Sequence, residues 1–400
     1  MTLALSYGRQ WISEEDVDAV RDCLRGDYLT QGPRVAEFEA SLRRATGARY
    51  AVAVSSGTAA LHLAYEALGF GPGDTGVTSA ISFVATANAF LYCGGSARFA
   101  DVEPDTALID IESLRRVAST GPRPKIIAPV DLGGHTFDRL AVRRIADDLG
   151  AMVVEDAAHS LGAAYTAGGE SFLVGSCAHA DAAILSFHPV KHITTAEGGA
   201  VLTRHEHVYQ RLLSLRSHGI HRDPTRFVRG AEDPYAGPWY YEQTELGHHY
   251  RLPDVLCALG TSQMKRLAEF VTRRRELAAL YDRAFASDRF ASKLRPLEVR
   301  AREGSAYHLY VVQLIERVGE SLRDVARRRR RLFDSLREQG ILAQVHYIPI
   351  PWQPFYAKSG AAEYPGAESY YARSLSLPMF PAMEEADVAR VVAAVEEGLG

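Results

Sequence analysis

Between Ala51 and Thr203 short apolar runs alternate with stretches of helical character, and no other feature of the chain restricts its fold so strongly. The runs fall at Ala51–Ser55, Gly76–Ile81, Ala97–Val102, Lys125–Asp131, Met152–Asp156, Ala182–Phe187 and Ala200–Thr203. Helical candidates lie between them at Thr58–Leu68, Ala85–Tyr92, Ile111–Val117 and Leu140–Leu149. Apolar strands alternating with helices over this length predict an α/β fold built on a mostly parallel, seven-stranded sheet. No unit of 20 to 50 residues recurs, which excludes a solenoid.

Ahead of this region, Ser13-Glu-Glu-Asp16 predicts the start of a helix through Val17, Val20 and Leu24, with carboxylates at the positive end of the helix dipole and Gly26 as its stop. A second helix is expected over Val35–Ala45. Beyond Arg251-Leu-Pro-Asp254 the texture changes. One long helix is expected over Asp254–Ala286, followed by a smaller α+β unit with strands at Tyr307–Leu314 and Ile341–Tyr347 and helices at Leu322–Gln339 and Glu384–Leu399. The expected division is an N-terminal arm and helix over 1–30, a large α/β domain over 31–255, and a linking helix with the small domain over 256–400.

At 400 residues, 47% hydrophobic and 24% charged, the chain can bury a large core, and its net charge of −4 gives no field that would attract nucleic acid or an anionic membrane. The run Arg327–Arg331 reads as a solvated helix face, because consecutive helical positions point in different directions and Asp324, Asp334 and Glu338 lie nearby. No apolar run reaches membrane-spanning length and the first ten residues do not resemble a secretory signal, so a cytoplasmic protein is expected. Cys23, Cys93, Cys177 and Cys257 show no metal-ligand spacing and are expected as free core thiols.

In an open parallel sheet the ligand crevice lies beyond the carboxyl ends of the strands, which directs attention to three places. Ser55-Ser-Gly-Thr-Ala59 passes from a strand end into a helix, where free backbone N–H groups and hydroxyls can seat a phosphate or simply cap the helix. Glu155-Asp156-Ala-Ala-His159 ends an apolar strand with carboxylates, and a buried carboxylate needs a cationic or protonated partner. Asp156 can hold a proton on a pyridine nitrogen or cap a helix, and His159 can bond a ring substituent or pack. In Ser186-Phe-His-Pro-Val-Lys191, a lysine sits in the turn between two strands, where desolvation can leave its amine neutral enough to attack a carbonyl. Phosphate seat, carboxylate and lysine, in this order along one sheet, are the three contacts that pyridoxal phosphate requires. Phe83, after another strand end, can stack on a ring or belong to the core.

With these residues in place, the chain resembles the fold-type I, pyridoxal-phosphate-dependent aminotransferases of the DegT type, which act on keto sugar nucleotides. The likeness runs through SSGTAALHLA, SFVATANA, VVEDAAHSLGA, SFHPVKHITTAEGGA, YRLPDVLCALG and VHYIPIPWQPFY. SFHPVKHITT and GPWYYEQTELG are most similar to members that aminate C4 in the pseudaminic acid pathway. The resemblance implies Lys191 as the Schiff-base lysine, Asp156 as partner of the pyridine nitrogen and His159 near the ring's phenolic oxygen. It implies Ser56, Gly57, Thr58, Ala59 and Ser186 around the phosphate, with Phe83 on the ring. For the sugar nucleotide it points to Tyr7, to Asp27, Tyr28, Leu29 and Thr30, and to His308, Leu309 and Tyr310. It also implies a homodimer with shared sites and L-glutamate as the amino donor.

Two positions depart from the family pattern. His249 stands where the segment reaching over the neighbour's cofactor usually has asparagine, and can still donate to a phosphate. Ala196 stands where glycine is common, so a backbone that alanine adopts without strain is expected there. Rival readings remain open: amination at C3, a dTDP- or GDP-sugar, or a cofactor-binding regulator without turnover. A sugar 3-dehydratase of the same fold is disfavoured, because such enzymes resemble this chain with histidine in place of Lys191.

Overall fold

The computed structural model describes residues 4–229, 237–357 and 363–400. Seven strands form its central sheet: β1 (Tyr50–Val54), β2 (Thr75–Ser79), β3 (Ser96–Ala100), β4 (Ile126–Ala128), β5 (Met152–Asp156), β6 (Ala182–Ser186) and β7 (Gly199–Thr203). Their order across the sheet is β1-β7-β6-β5-β4-β2-β3. Only β7 runs against its neighbours, pairing antiparallel with β1 and β6. The mostly parallel sheet expected from the sequence is therefore present.

Period-2 geometry divides each strand between two cores. On one face Val52, Val54, Ile184 and Val201 pack with Leu61 and Leu63 of the Gly57–Ala67 helix. On the other, Ala53, Leu185, Ala200 and Leu202 pack with Phe38 and Leu42 of the Pro33–Thr46 helix. With both faces covered, water reaches the sheet only at the strand ends, which is where the cavity opens.

Four expectations need correction. The stretch expected as one helix over Asp254–Ala286 is two, Asp254–Met264 and Leu267–Phe285. The break falls where Arg266 lies over the rings of Trp11 and Phe270, at 4.5 and 4.6 Å, and where the Gln263 amide donates to the Trp11 carbonyl at 3.1 Å. Tertiary contact with the N-terminal arm thus overrides the uninterrupted helical pattern.

The strand expected over Ile341–Tyr347 pairs only at Ile341–Leu342, parallel to Leu5–Ser6. After a single bridge from Gln344 to Ser376 the chain leaves the sheet, and His346 and Tyr347 turn into the cavity. The small sheet is instead Leu294–Pro296, Tyr310–Leu314 and Ser374–Leu377, with Tyr310–Leu314 in the middle.

Ala196, expected in a relaxed backbone, has φ +62°. An L-residue in this left-handed region is strained. The Arg327–Arg331 run is a solvated face only at Arg327, Arg330 and Arg331, the first two paired with Asp324 and Asp334; Arg328 is largely covered in its pair with Glu320, and Arg329 is buried and donates to the Tyr371 carbonyl at 2.9 Å. No helix among the described residues is long and apolar enough to cross a membrane.

Candidate active site

A cavity of about 430 Å³ opens at the carboxyl ends of β1, β5 and β6. Its walls include Ser56, Gly57, Thr58, Phe83, Thr86, Asp156, His159, Ser186, Lys191, Tyr7 and His308, so residues from six separate stretches of sequence converge there.

Lys191 is delivered by the hairpin between β6 and β7. Phe187 N–H donates to the Gly198 carbonyl at 2.9 Å and Thr195 N–H to the Phe187 carbonyl at 3.0 Å, which closes the loop. Within it, Lys191 N–H donates to the His188 carbonyl at 2.9 Å. The residue as a whole is partly exposed, yet its amine lies deep enough for desolvation to dominate, and its pKa falls to about 7. Asp156 opposes that fall and Arg274 adds to it. Near neutral pH much of the amine is therefore uncharged and nucleophilic.

Asp156 is 5% exposed at the end of β5. Its Oδ2 accepts from Thr86 Oγ1 at 2.6 Å and its Oδ1 from Ala158 N–H at 3.2 Å. Burial raises its pKa, the two hydrogen bonds pull it back, and the Lys191 charge acts in the same direction as those bonds. A buried carboxylate supported in this way still has an unmet demand for a cation in the cavity.

His159 accepts from Gly133 N–H at Nδ1, 3.3 Å away, which leaves Nε2 as the protonated nitrogen of the neutral ring. Its Nε2 lies 3.5 Å from the Tyr347 hydroxyl, and its ring centroid is 4.3 Å from that of His308. Burial, and then the nearby Lys191 charge, hold its pKa well below the usual histidine value. His308 is held well below the usual histidine value for similar reasons, and its buried Nδ1 has no hydrogen-bond partner among the described residues.

The opposite wall is the start of the Gly57–Ala67 helix. Its first N–H groups have no acceptor within the helix and meet the cavity with the positive end of the dipole. Glycine is required where the hairpin crosses this helix start. A Cβ on Gly199 would lie 2.4 Å from the Ser56 carbonyl oxygen, and one on Gly57 would lie 3.0 Å from Ser186 Cβ.

Several residues expected at the site are placed elsewhere. Ala59 does not line the cavity, because its N–H is used by the Ser56 Oγ cap at 3.0 Å. Leu309 and Tyr310 are 2% and 3% exposed. Tyr310 stacks on Tyr281 at 4.6 Å and donates to Asp282 Oδ1 at 2.8 Å, so it is a core residue of the small sheet, whereas Leu309 precedes that strand and packs with Ile81, Leu132 and Val311. Asp27, Tyr28, Leu29 and Thr30 lie exposed beyond the Glu14–Arg25 helix and form no part of this chain's cavity. His249 is also outside it, bridged to Ser217.

Thr86, His188, Glu197, His346 and Tyr347 line the cavity without having been singled out. Thr86 had a signal, since it lies in the same SFVATANA stretch as Phe83. His346 and Tyr347 were masked by the alternation of Ile341–Tyr347, which reads as strand.

The model of the DegT/DnrJ/EryC1/StrS aminotransferase family matches residues 10–396. The chain belongs to this family. A relative from Campylobacter jejuni serotype O:2, UDP-4-amino-4,6-dideoxy-N-acetyl-beta-L-altrosamine transaminase, is 34% identical over 384 residues, covering 96% of this chain and 94% of the relative. Among solved structures, Helicobacter pylori PseC, an aminotransferase of pseudaminic acid biosynthesis, aligns with TM-score 0.87 and 29% identity over 99% of both chains. The PLP form of Spr1654 from Streptococcus pneumoniae aligns with TM-score 0.85 and 26% identity over 99% of this chain and 100% of the other. This DegT-family member is thus a sugar aminotransferase, of a family that works with pyridoxal phosphate.

The cavity fits that cofactor on its own terms. It offers an anion seat at a helix start, a buried carboxylate short of a cation, a neutralised amine and an unpartnered imidazole nitrogen, all around one space.

Proposed function

We propose that the protein transfers an amino group from L-glutamate to C4 of a UDP-linked 4-keto-6-deoxy-N-acetylhexosamine, carrying pyridoxal phosphate covalently on Lys191. The observation that carries this reading is the lysine amine with a pKa of about 7 in the same cavity as Asp156 and the Gly57–Ala67 helix start. Pyridoxal phosphate supplies a protonatable conjugated ring that takes up the electron pair left when a C–H bond beside the reacting nitrogen breaks.

The chain's own residues have distinct tasks. Ser56, Gly57, Thr58 and Ser186, at one end of the cavity, would hold the phosphate, and Phe83, also on its wall, would pack against the ring. Asp156, whose carboxylate accepts from Thr86 and Ala158, would hold a proton on the ring nitrogen. His159 donates from Nε2 toward the ring's oxygen. Lys191 Nζ would serve as the acid-base group, taking a proton from the donor's α-carbon and, in the second half-reaction, delivering one to the sugar carbon. Tyr7 and His308, on the cavity wall, are the sugar contacts retained from the sequence.

The sites are proposed to be shared in a homodimer. Tyr28 and Leu29 are 58% and 50% exposed, and with His249 they lie outside this chain's cavity, which suits contact with a neighbouring subunit. The sugar assignment follows the C4 transaminase relative; amination at C3 or a different nucleotide is the alternative.

Lys191→Ala is expected to abolish amino transfer and to leave no cofactor attached after borohydride reduction and denaturation. Normal turnover by that variant would end the proposal. Adding L-glutamate alone to the holoenzyme should convert the cofactor's visible absorption to that of its amine form, which a regulator without turnover need not do. Amino-sugar formation across a panel of 3-keto and 4-keto UDP-, dTDP- and GDP-sugars then decides the acceptor.

A further inference from the structure

Outside the cavity, three side chains converge in a way that transamination does not use. His62 and Glu66 stand one helical turn apart on the Gly57–Ala67 helix, and His248 meets them from the segment that also carries His249. One nitrogen from each histidine and one carboxylate oxygen lie within 4.8 Å of one another. His248 Nε2 is 2.9 Å from Glu66 Oε2, an ordinary hydrogen bond. His62 Nε2 is 3.9 Å from the same oxygen, too far for one.

The surroundings direct the ligand atoms. His62 Nδ1 lies 3.2 Å from the Tyr250 hydroxyl, which can accept Nδ1–H and so fix the tautomer with the Nε2 lone pair facing Glu66. Metal-bound histidines are commonly oriented by such a bond at the other ring nitrogen. The Tyr250 ring stacks on His248 at 4.9 Å and 11°, which sets the plane of the second imidazole. His62 is 8% exposed while Glu66 and His248 are partly open, so a cation has both a sheltered seat and a path to it.

We propose that His62 Nε2, the Glu66 carboxylate and His248 Nε2 bind a divalent cation of the zinc class, with water as the fourth ligand. Zinc takes such ligands at about 2.0–2.2 Å, which puts neighbouring ligand atoms of a tetrahedron about 3.3–3.6 Å apart. The separations of 2.9 and 3.9 Å bracket that value. Two imidazoles with one carboxylate select zinc, cobalt or nickel over magnesium or calcium, which prefer oxygen ligands.

The cation would join the helix whose start forms the anion seat to the segment 247–251. Backbone bonds also hold that segment, His248 N–H to the Leu215 carbonyl at 2.7 Å and Ser55 N–H to the Tyr250 carbonyl at 2.9 Å, beside the His62–Tyr250 contact. The role is structural: a staple beside the active site.

The test uses tag-free holoenzyme, treated with a chelator and titrated with zinc chloride by calorimetry and with cobalt(II) by absorption. One cation per chain, a dissociation constant of about 10 µM or tighter, a raised thermal midpoint and the ligand-field band of four-coordinate cobalt are expected. His62→Ala and His248→Ala should each weaken binding at least about tenfold, and Glu66→Gln should weaken it less. His207→Ala, at an exposed histidine elsewhere, should leave binding unchanged. His62→Asn and His248→Gln serve if the alanine variants do not fold. Saturable binding that survives at both histidine variants, or none in the unaltered protein up to about 100 µM, overturns the proposal.

Discussion

Glu155 and Asp156 are adjacent on β5, both buried, yet they face opposite sides of the sheet and have opposite electrostatic fates. Glu155 joins Asp131 in gripping Arg139, with Nε to Glu155 Oε1 at 3.0 Å and Nη2 to Asp131 Oδ2 at 2.6 Å; the three side chains are at most 1% exposed. That cluster supplies its own cation. Asp156 has neutral donors only, so its charge is directed at the cavity. A buried carboxylate is therefore informative about function when its partners are inventoried, and uninformative when only its burial is noted.

The contrast is tested most severely on the structural side. Arg139→Met leaves Asp131 and Glu155 buried together without a counter-charge, and it should cost about 3–5 kcal/mol of stability by chemical denaturation. Turnover per folded active site should stay within a few-fold. If stability falls by less than about 1 kcal/mol, the two carboxylates are not as different as the geometry indicates.

Asp156→Asn is the complementary change. The amide oxygen can still accept a hydrogen bond, and a buried charge is removed, so the melting temperature of the cofactor-free protein should not fall appreciably. Amino transfer should drop on the order of a hundredfold, about 2.7 kcal/mol in the barrier. A variant that is unfolded, rather than folded and slow, would move Asp156 into the same class as Glu155.

The site lysine sharpens the comparison through pH. In cofactor-free protein its folded pKa is about 7 against an ordinary value of 10.5, so between those values the unfolded chain binds the extra proton. Stability should therefore rise with pH across this window. Lys191→Met, which has no charge to bury, should be more stable than the native protein at pH 7, with the gap closing as pH approaches 10. A gap independent of pH, in paired thermal melts, would mean that the amine is not desolvated.

Much of this arrangement was legible beforehand, for a physical reason. A parallel sheet covered on both faces must be apolar along its strands and can be polar only at their ends, so Ser56, Asp156, Ser186 and Lys191 stood out against their surroundings. Side-chain partnerships across the sheet were not legible: nothing in the order of residues says that Thr86 meets Asp156 rather than solvent. Alternation also misled: it drew Tyr347 into a strand that ends at Leu342. The family resemblance, in turn, could not tell that Tyr310 faces Tyr281 in the core beside the small sheet instead of the cavity.

Ala196 carries the smallest effect and separates the two regions in another way. Arg139 and Glu155 of the buried cluster stand on relaxed helix and strand backbone, whereas Lys191 is presented by a loop containing a non-glycine residue at φ +62°. That conformation is held from both sides: Ala196 N–H donates to Thr194 Oγ1 at 2.9 Å, and Thr195 Oγ1 donates to the Glu197 carbonyl at 2.8 Å. Glycine adopts the same φ without the Cβ conflict but brings more freedom to the unfolded chain, and the two effects oppose each other. A left-handed alanine costs about 1–2 kcal/mol, and the entropic loss with glycine is smaller. Ala196→Gly should therefore stabilise the protein by about 0.5–1 kcal/mol, with the Lys191 pKa unchanged. If denaturation shows the variant to be less stable, the loop does not hold Ala196 in that conformation, and the lysine hairpin is as relaxed as the structural cluster behind it.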